Sequence, residues 1–159
     1  MNKESGKSYT VKEATFKLMQ YCAYRDRSQK EVEDKLVEMR MIPVAREEII
    51  IKLMQENFLN EERFARSFVR GKFRIKKWGR YKIKQELKLR EISSPIIKLA
   101  MTEINETEYR NTLYTLAEKK LNLLSETDIY KLKKKLSDHL LRKGYESALV
   151  FQTVDEITG

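Results

Sequence analysis

An apolar pattern recurs three times along this 159-residue chain and constrains its fold more tightly than any single motif does. Each copy has an apolar residue, a second four positions later, a third five after that, and an apolar pair further on. The copies are Val32, Leu36 and Met41 with Ile49-Ile50, then Ile83, Leu87 and Ile92 with Ile96-Ile97, then Leu136, Leu140 and Tyr145 with Leu149-Val150. Leu36 and Leu87 lie 51 residues apart, Leu87 and Leu140 53. The recurring unit reads as one helix face, a turn, and a following helix. The first copy carries extra loop residues around Pro43.

Helix punctuation agrees with three helices per repeat. Val11, Ala14, Leu18, Tyr21 and Cys22 share one face of a first helix, and Ser28 with Glu31 forms a capping-box pattern before the second. A third helix follows Pro43 and carries Ile50, Leu53 and Met54. Asn60 ahead of Glu61 and Glu62 caps a fourth, and Ser94-Pro95 reads as a cap followed by proline in the first turn. Tyr109, Leu113, Leu116, Ala117 and Leu124 make one stripe, and Ser125 with Asp128 reads as a box-like start before Ile129, Leu132, Leu136 and Leu140. Gly144 closes that helix, and Ala148, Phe151, Val154 and Ile157 form the ninth. Only five glycines and two prolines are present, too few for the turns of a β-sandwich or barrel. The expected fold is therefore all-α, an elongated, curved array of three tandem three-helix repeats with about nine helices. Its expected layout is a disordered tail over 1–10 and repeats over 11–58, 59–105 and 106–159. A unit of ~50 residues buries little surface, so its neighbours are expected to complete its core. No stripe is left over for a dimer interface, and a monomer is expected.

Charge is concentrated in the middle repeat. Between Arg63 and Arg90 there are twelve basic residues and one acid, Glu86. That local +11 exceeds the whole chain's +9, so the remainder is slightly acidic. Arg63, Arg66, Arg70, Arg74 and Lys77 follow at intervals of 3, 4, 4 and 3, which keeps them in one arc of a helix, with Phe64, Phe68 and Ile75 expected to face the core. A one-sign stripe of this kind points to a polyanionic or acidic partner. The candidate partner-binding and nucleic-acid-binding residues are Arg63, Arg66, Arg70, Arg74, Lys76, Lys77, Arg80, Lys82, Lys84 and Lys88. Trp78 and Tyr81, set among these cations, either stack on bases or staple a helix start to the core.

The chain shows no sequence signature of catalysis. His139 stands alone among lysines, Cys22 lies on an apolar face, and neither metal-ligand spacing nor a glycine-rich phosphate loop is present. The expectation is a non-enzymatic protein without cofactors. No apolar run approaches the ~20 residues of a spanning helix, the first residues lack a secretory h-region, and one cysteine excludes an internal disulfide. A soluble cytoplasmic protein is expected.

Three strings carry a family resemblance: Tyr24-Arg25-Asp26-Arg27-Ser28-Gln29-Lys30-Glu31-Val32 with Leu36; Phe58-Leu59-Asn60-Glu61-Glu62-Arg63-Phe64-Ala65 with Phe68-Val69; and Gly79-Arg80 with Ile83 and Glu86-Leu87. With the threefold repeat they resemble the bacterial RecX family of RecA regulators, over about Val11 to Ile157. The resemblance implies binding to RecA and the RecA–DNA filament, with restraint of ATPase and strand-exchange activities, and no cofactor. The resemblance also implies glycine before the aromatic residue in the turns. Gly144 keeps that pattern, whereas Asn57, Arg40 and Glu91 depart from it, so the Arg40 and Glu91 turns are expected to differ in shape. The alternative function is a helical DNA-binding protein acting without RecA.

Overall fold

The computed structural model describes residues 8–159. Among these residues there are nine helices and no strands: α1 (Val11–Tyr24), α2 (Gln29–Glu38), α3 (Pro43–Gln55), α4 (Glu61–Arg74), α5 (Arg80–Leu89), α6 (Ser94–Met101), α7 (Glu106–Leu123), α8 (Ile129–Arg142) and α9 (Ser147–Thr158). They pack in consecutive triples. Of the expected tail, residues 1–7 lie outside the described residues, and Thr10 already caps α1 in a capping box with Glu13.

The repeat residues form the interior. Val32, Leu36, Met41, Ile49 and Ile50 of the first copy are buried, as are Ile83, Leu87, Ile92 and Ile97 of the second and Leu136, Leu140, Tyr145 and Val150 of the third. The turn after each of α2, α5 and α8 has the same backbone. The apolar anchor donates its N–H to the carbonyl five residues earlier: Met41 to Leu36 at 3.0 Å, Ile92 to Leu87 at 3.1 Å, Tyr145 to Leu140 at 3.4 Å. The residue before each anchor is left-handed, with φ of +63° at Arg40, +60° at Glu91 and +100° at Gly144. The departures from glycine thus leave the backbone path unchanged, contrary to expectation. The hydrogen bond and the buried anchor outweigh the ~1 kcal/mol steric cost of a side chain there.

Several faces are rotated from their expected positions. Val11, Met54, Ile75, Ile129 and Phe151 are exposed, and on α9 the core face runs through Val150 and Val154. Ile75 follows α4 as its cap, where the chain leaves the helix before the side chain turns inward. α6 begins at Ser94 with Ser93 as its cap, and α8 begins at Ile129 with Asp128 itself accepting from Tyr130 and Lys131.

The core is not one continuous column. Residues of α1–α3 form one buried cluster, and residues of α4 through α9 form another. The accessible surface, 10167 Å², exceeds the ~8400 Å² of a compact monomer of this mass. The second and third triples thus share one core, whereas the first has its own.

Candidate partner-binding surface

The candidate cations arise on α4, on the α4–α5 turn and on α5, and the structure divides them by what they touch. Arg63 holds the first triple to the second: its Nε lies 2.7 Å from Asp26 Oδ1, and its Nη2 donates to the carbonyls of Asn57 and Phe58, each at 3.2 Å. Arg66 pairs with Glu62 at 3.1 Å and donates to Thr102 Oγ1 at 3.3 Å. Arg70 pairs with Glu103 across the same gap. Three of the five stripe residues therefore have acidic counterions within the chain.

Arg80 is more deeply committed. Its guanidinium pairs with Glu146 and with Glu106, each at 2.8 Å, and lies 4.0 Å from the centre of the Tyr109 ring. Burial opposes the Arg80 charge, but the Glu106 hydrogen bond and the Glu146 charge raise its pKa above the ordinary value. Glu106 in turn is held below the usual carboxylate range by hydrogen bonds from Arg80 and Arg110. Tyr109 also donates to Glu146, and burial pushes its phenol far above the ordinary range.

The other candidates, apart from Lys82 over the Trp78 ring, keep their charge for solvent. Among the described residues Arg74, Lys76, Lys77, Lys82, Lys84 and Lys88 pair with no acid. Lys77 occupies a left-handed turn at φ +59° and borders the exposed start of α7 beside Asn105 and Glu108. On α5, Ile83 and Leu87 point inward, so Tyr81, Lys84, Gln85 and Lys88 form the outward face. Unpaired charge thus lies on the α4–α5 turn and the outer face of α5, rather than along the whole α4 stripe.

The two aromatic residues also separate. Trp78 packs against the core with Lys72 Nζ 4.9 Å and Lys82 Nζ 4.5 Å from its ring centre. Tyr81 is 63% exposed. Sequence reasoning left Lys72 and Arg90 out of the candidate set, and both lie over the Phe68 ring, at 5.3 and 4.7 Å. Their i,i+4 spacing from Phe68 (for Lys72) and Glu86 (for Arg90) was the available signal. The counterions Asp26, Glu103, Glu106 and Glu146 gave no such signal, because they are remote in sequence.

No group of three or more His, Cys, Asp or Glu side chains among the described residues could hold a metal ion. No helix among them is long and apolar enough to cross a membrane. Cys22 is buried, and burial raises its thiol pKa despite the charges of Arg27 and Arg63. Taken together, the fold and this surface define an all-helical tandem-repeat protein with a basic patch on its middle unit. The family model for the second three-helix domain of RecX matches residues 60–101, and that for the third matches residues 107–154. The chain belongs to the RecX family.

Its relatives are named regulatory proteins. It is 36% identical to Regulatory protein RecX of Clostridium perfringens (strain 13 / Type A), over 76% of this chain and 57% of that protein. The protein of the same name from Prosthecochloris aestuarii is 29% identical over 86% of this chain and 88% of its own. The chain thus spans just over half the length of the Clostridium relative. The crystal structure of RecX from Lactobacillus salivarius superposes with a TM-score of 0.83 at 27% identity, covering 92% of this chain and 96% of that one.

Proposed function

We propose that this protein binds RecA on DNA and restrains its ATPase and strand-exchange activities. Membership of a family whose characterised name is that of a regulatory protein carries the reading. The tandem array lies along a RecA filament, where a chain of repeats offers contacts to more than one protomer. The unpaired cations Arg74, Lys77, Lys84 and Lys88 meet acidic protein surface or exposed phosphate. Holding neighbouring protomers in one arrangement opposes the subunit movements that accompany ATP turnover.

The test is the single-stranded-DNA-dependent ATPase of the cognate RecA, titrated with the full chain, with binding to naked DNA followed in parallel. Loss of ATPase at concentrations that leave naked DNA unbound is the expected result. Replacing Arg74, Lys77, Lys84 and Lys88 with glutamate should abolish it while helicity survives. Unchanged ATPase with tight DNA binding would instead mark a DNA-binding protein that acts without RecA.

A further inference from the structure

The first triple carries a second candidate surface that its charge count conceals. Residues 11–58 hold nine basic and nine acidic residues, so that unit is neutral as a whole. Yet the cleft between α1 and α2, about 550 Å³, is lined by Lys17, Arg27, Lys35 and Arg40, with Glu38 as its only acid among the described residues. Three tyrosines, Tyr9, Tyr21 and Tyr24, share the lining. Four cations thus share one cleft with aromatic faces.

The cations and rings are interleaved. Arg27 is fixed, 8% exposed, with its Nε donating to the Tyr21 carbonyl at 2.9 Å and its guanidinium 3.7 Å from the Tyr21 ring centre. Lys35 Nζ lies 5.9 Å from the same ring centre and 3.7 Å from Glu38 Oε1, a counterion that phosphate would displace, and Lys17 Nζ lies 5.2 Å from the Tyr9 ring centre. Tyr24, the last residue of α1, is 85% exposed, and Arg40 stands exposed in the left-handed turn after α2. Neither of these two has a counterion or ring partner among the described residues.

We propose that the α1–α2 cleft binds single-stranded nucleic acid, with Tyr24 stacking on an unpaired base and Lys35 and Arg40 meeting the flanking phosphates. Alternating cations and open aromatic faces suit a chain that presents phosphates and uncovered base planes together. A duplex offers the phosphates but hides the faces, and an acidic protein segment offers charge with nothing for Tyr24 to stack on. The volume lies within the ~300–1,000 Å³ of small-ligand sites, room enough for a nucleotide. This site stands apart from the basic surface of the middle unit and does not require RecA.

The experiment measures binding of the full chain alone to a fluorescein-labelled oligothymidylate of about 12 nucleotides, by anisotropy across a salt series. Tyr24→Ala should weaken binding about 10-fold with an unchanged salt slope, as expected for one lost base stack, and Tyr24→Phe should restore it. Lys35→Ala combined with Arg40→Gly should reduce the slope of log K against log salt by about 1.4, two phosphates' worth. Circular dichroism checks that each variant is folded. Wild-type affinity in Tyr24→Ala would overturn the proposal, as would tighter binding of a duplex of the same length. Equal displacement of the oligonucleotide by a polyglutamate peptide of matched charge would overturn it too, and would mark the cleft as a site for acidic protein.

Discussion

The two junctions between triples are built from corresponding positions but joined by different means. α2 and α5 are equivalent second helices. α2 begins after Ser28, whose hydroxyl accepts from the Glu31 N–H at 3.1 Å, so its first turn is satisfied locally. α5 begins after Gly79, which supplies no side-chain cap. Its free N–H groups are satisfied by the third triple: Arg80 N–H donates to Tyr109 Oη and Tyr81 N–H to the Gly144 carbonyl, each at 2.9 Å. Gly79 itself donates to the Lys143 carbonyl at 2.8 Å, and Tyr145 Oη donates to the Lys77 carbonyl at 2.9 Å.

Such an approach requires glycine on both sides. A Cβ on Gly79 would stand 2.3 Å from the Gly144 backbone, and one on Gly144 would stand 2.3 Å from Lys82 Cβ. At the first junction Ser28 and Glu91 occupy the corresponding positions. A cleft of about 320 Å³ remains there, lined by Glu33, Asp34, Glu61, Arg90 and Glu91 among others, and the Arg63–Asp26 pair spans the interface. Burial, with the Glu91 charge second, raises the Glu61 pKa. A glycine in place of a local cap thus exchanges a self-sufficient helix start for a shared core. Where the cap is kept, the neighbour attaches through polar contacts.

The sharpest way to break this contrast is Gly79→Ala, which should cost about 3 kcal/mol in urea unfolding by forcing the two backbones apart. Gly79→Ser should be no better, although it installs the cap that Ser28 provides to α2; a Gly79→Ser variant as stable as wild type would refute the docking account. Next in size, Glu91→Gly should stabilise the protein by roughly 0.5–1 kcal/mol, because glycine removes the left-handed strain at φ +60°. A thermal melt reads this directly, and no gain would mean that the Glu91 side chain contributes contacts of its own. The smallest effect on global stability is expected from Asp26→Ala, about 0.5 kcal/mol for a partly exposed pair. Hydrogen exchange should nonetheless show lost protection confined to α1–α3, while α4–α9 remain as protected as in wild type.

Much of this was legible in the sequence. The repeat spacing located the buried anchors, and Asn60, Ser28 and Gly144 marked helix ends that the structure retains. The positions of α6 and α8 were less legible, because Ser94 and Ser125 are each plausible caps and the chain uses Ser93 and Asp128. The basic stripe on α4 was also visible, since helical spacing is a local property. Its partial neutralisation was not, because Asp26 and Glu103 lie 37 and 33 residues from the arginines they meet.

By itself, then, the amino-acid sequence determined the helices, their order in threes and the accumulation of positive charge in the middle unit. These depend on apolar period, capping and composition, all of which act over a few residues. The tertiary structure alone decided which arginines remain available to a partner, that the second and third triples share one core while the first keeps its own, and that four of the nine cations of a neutral first unit line one cleft with three tyrosines. Those outcomes depend on which distant residues meet when helices pack, and local spacing carries no record of them.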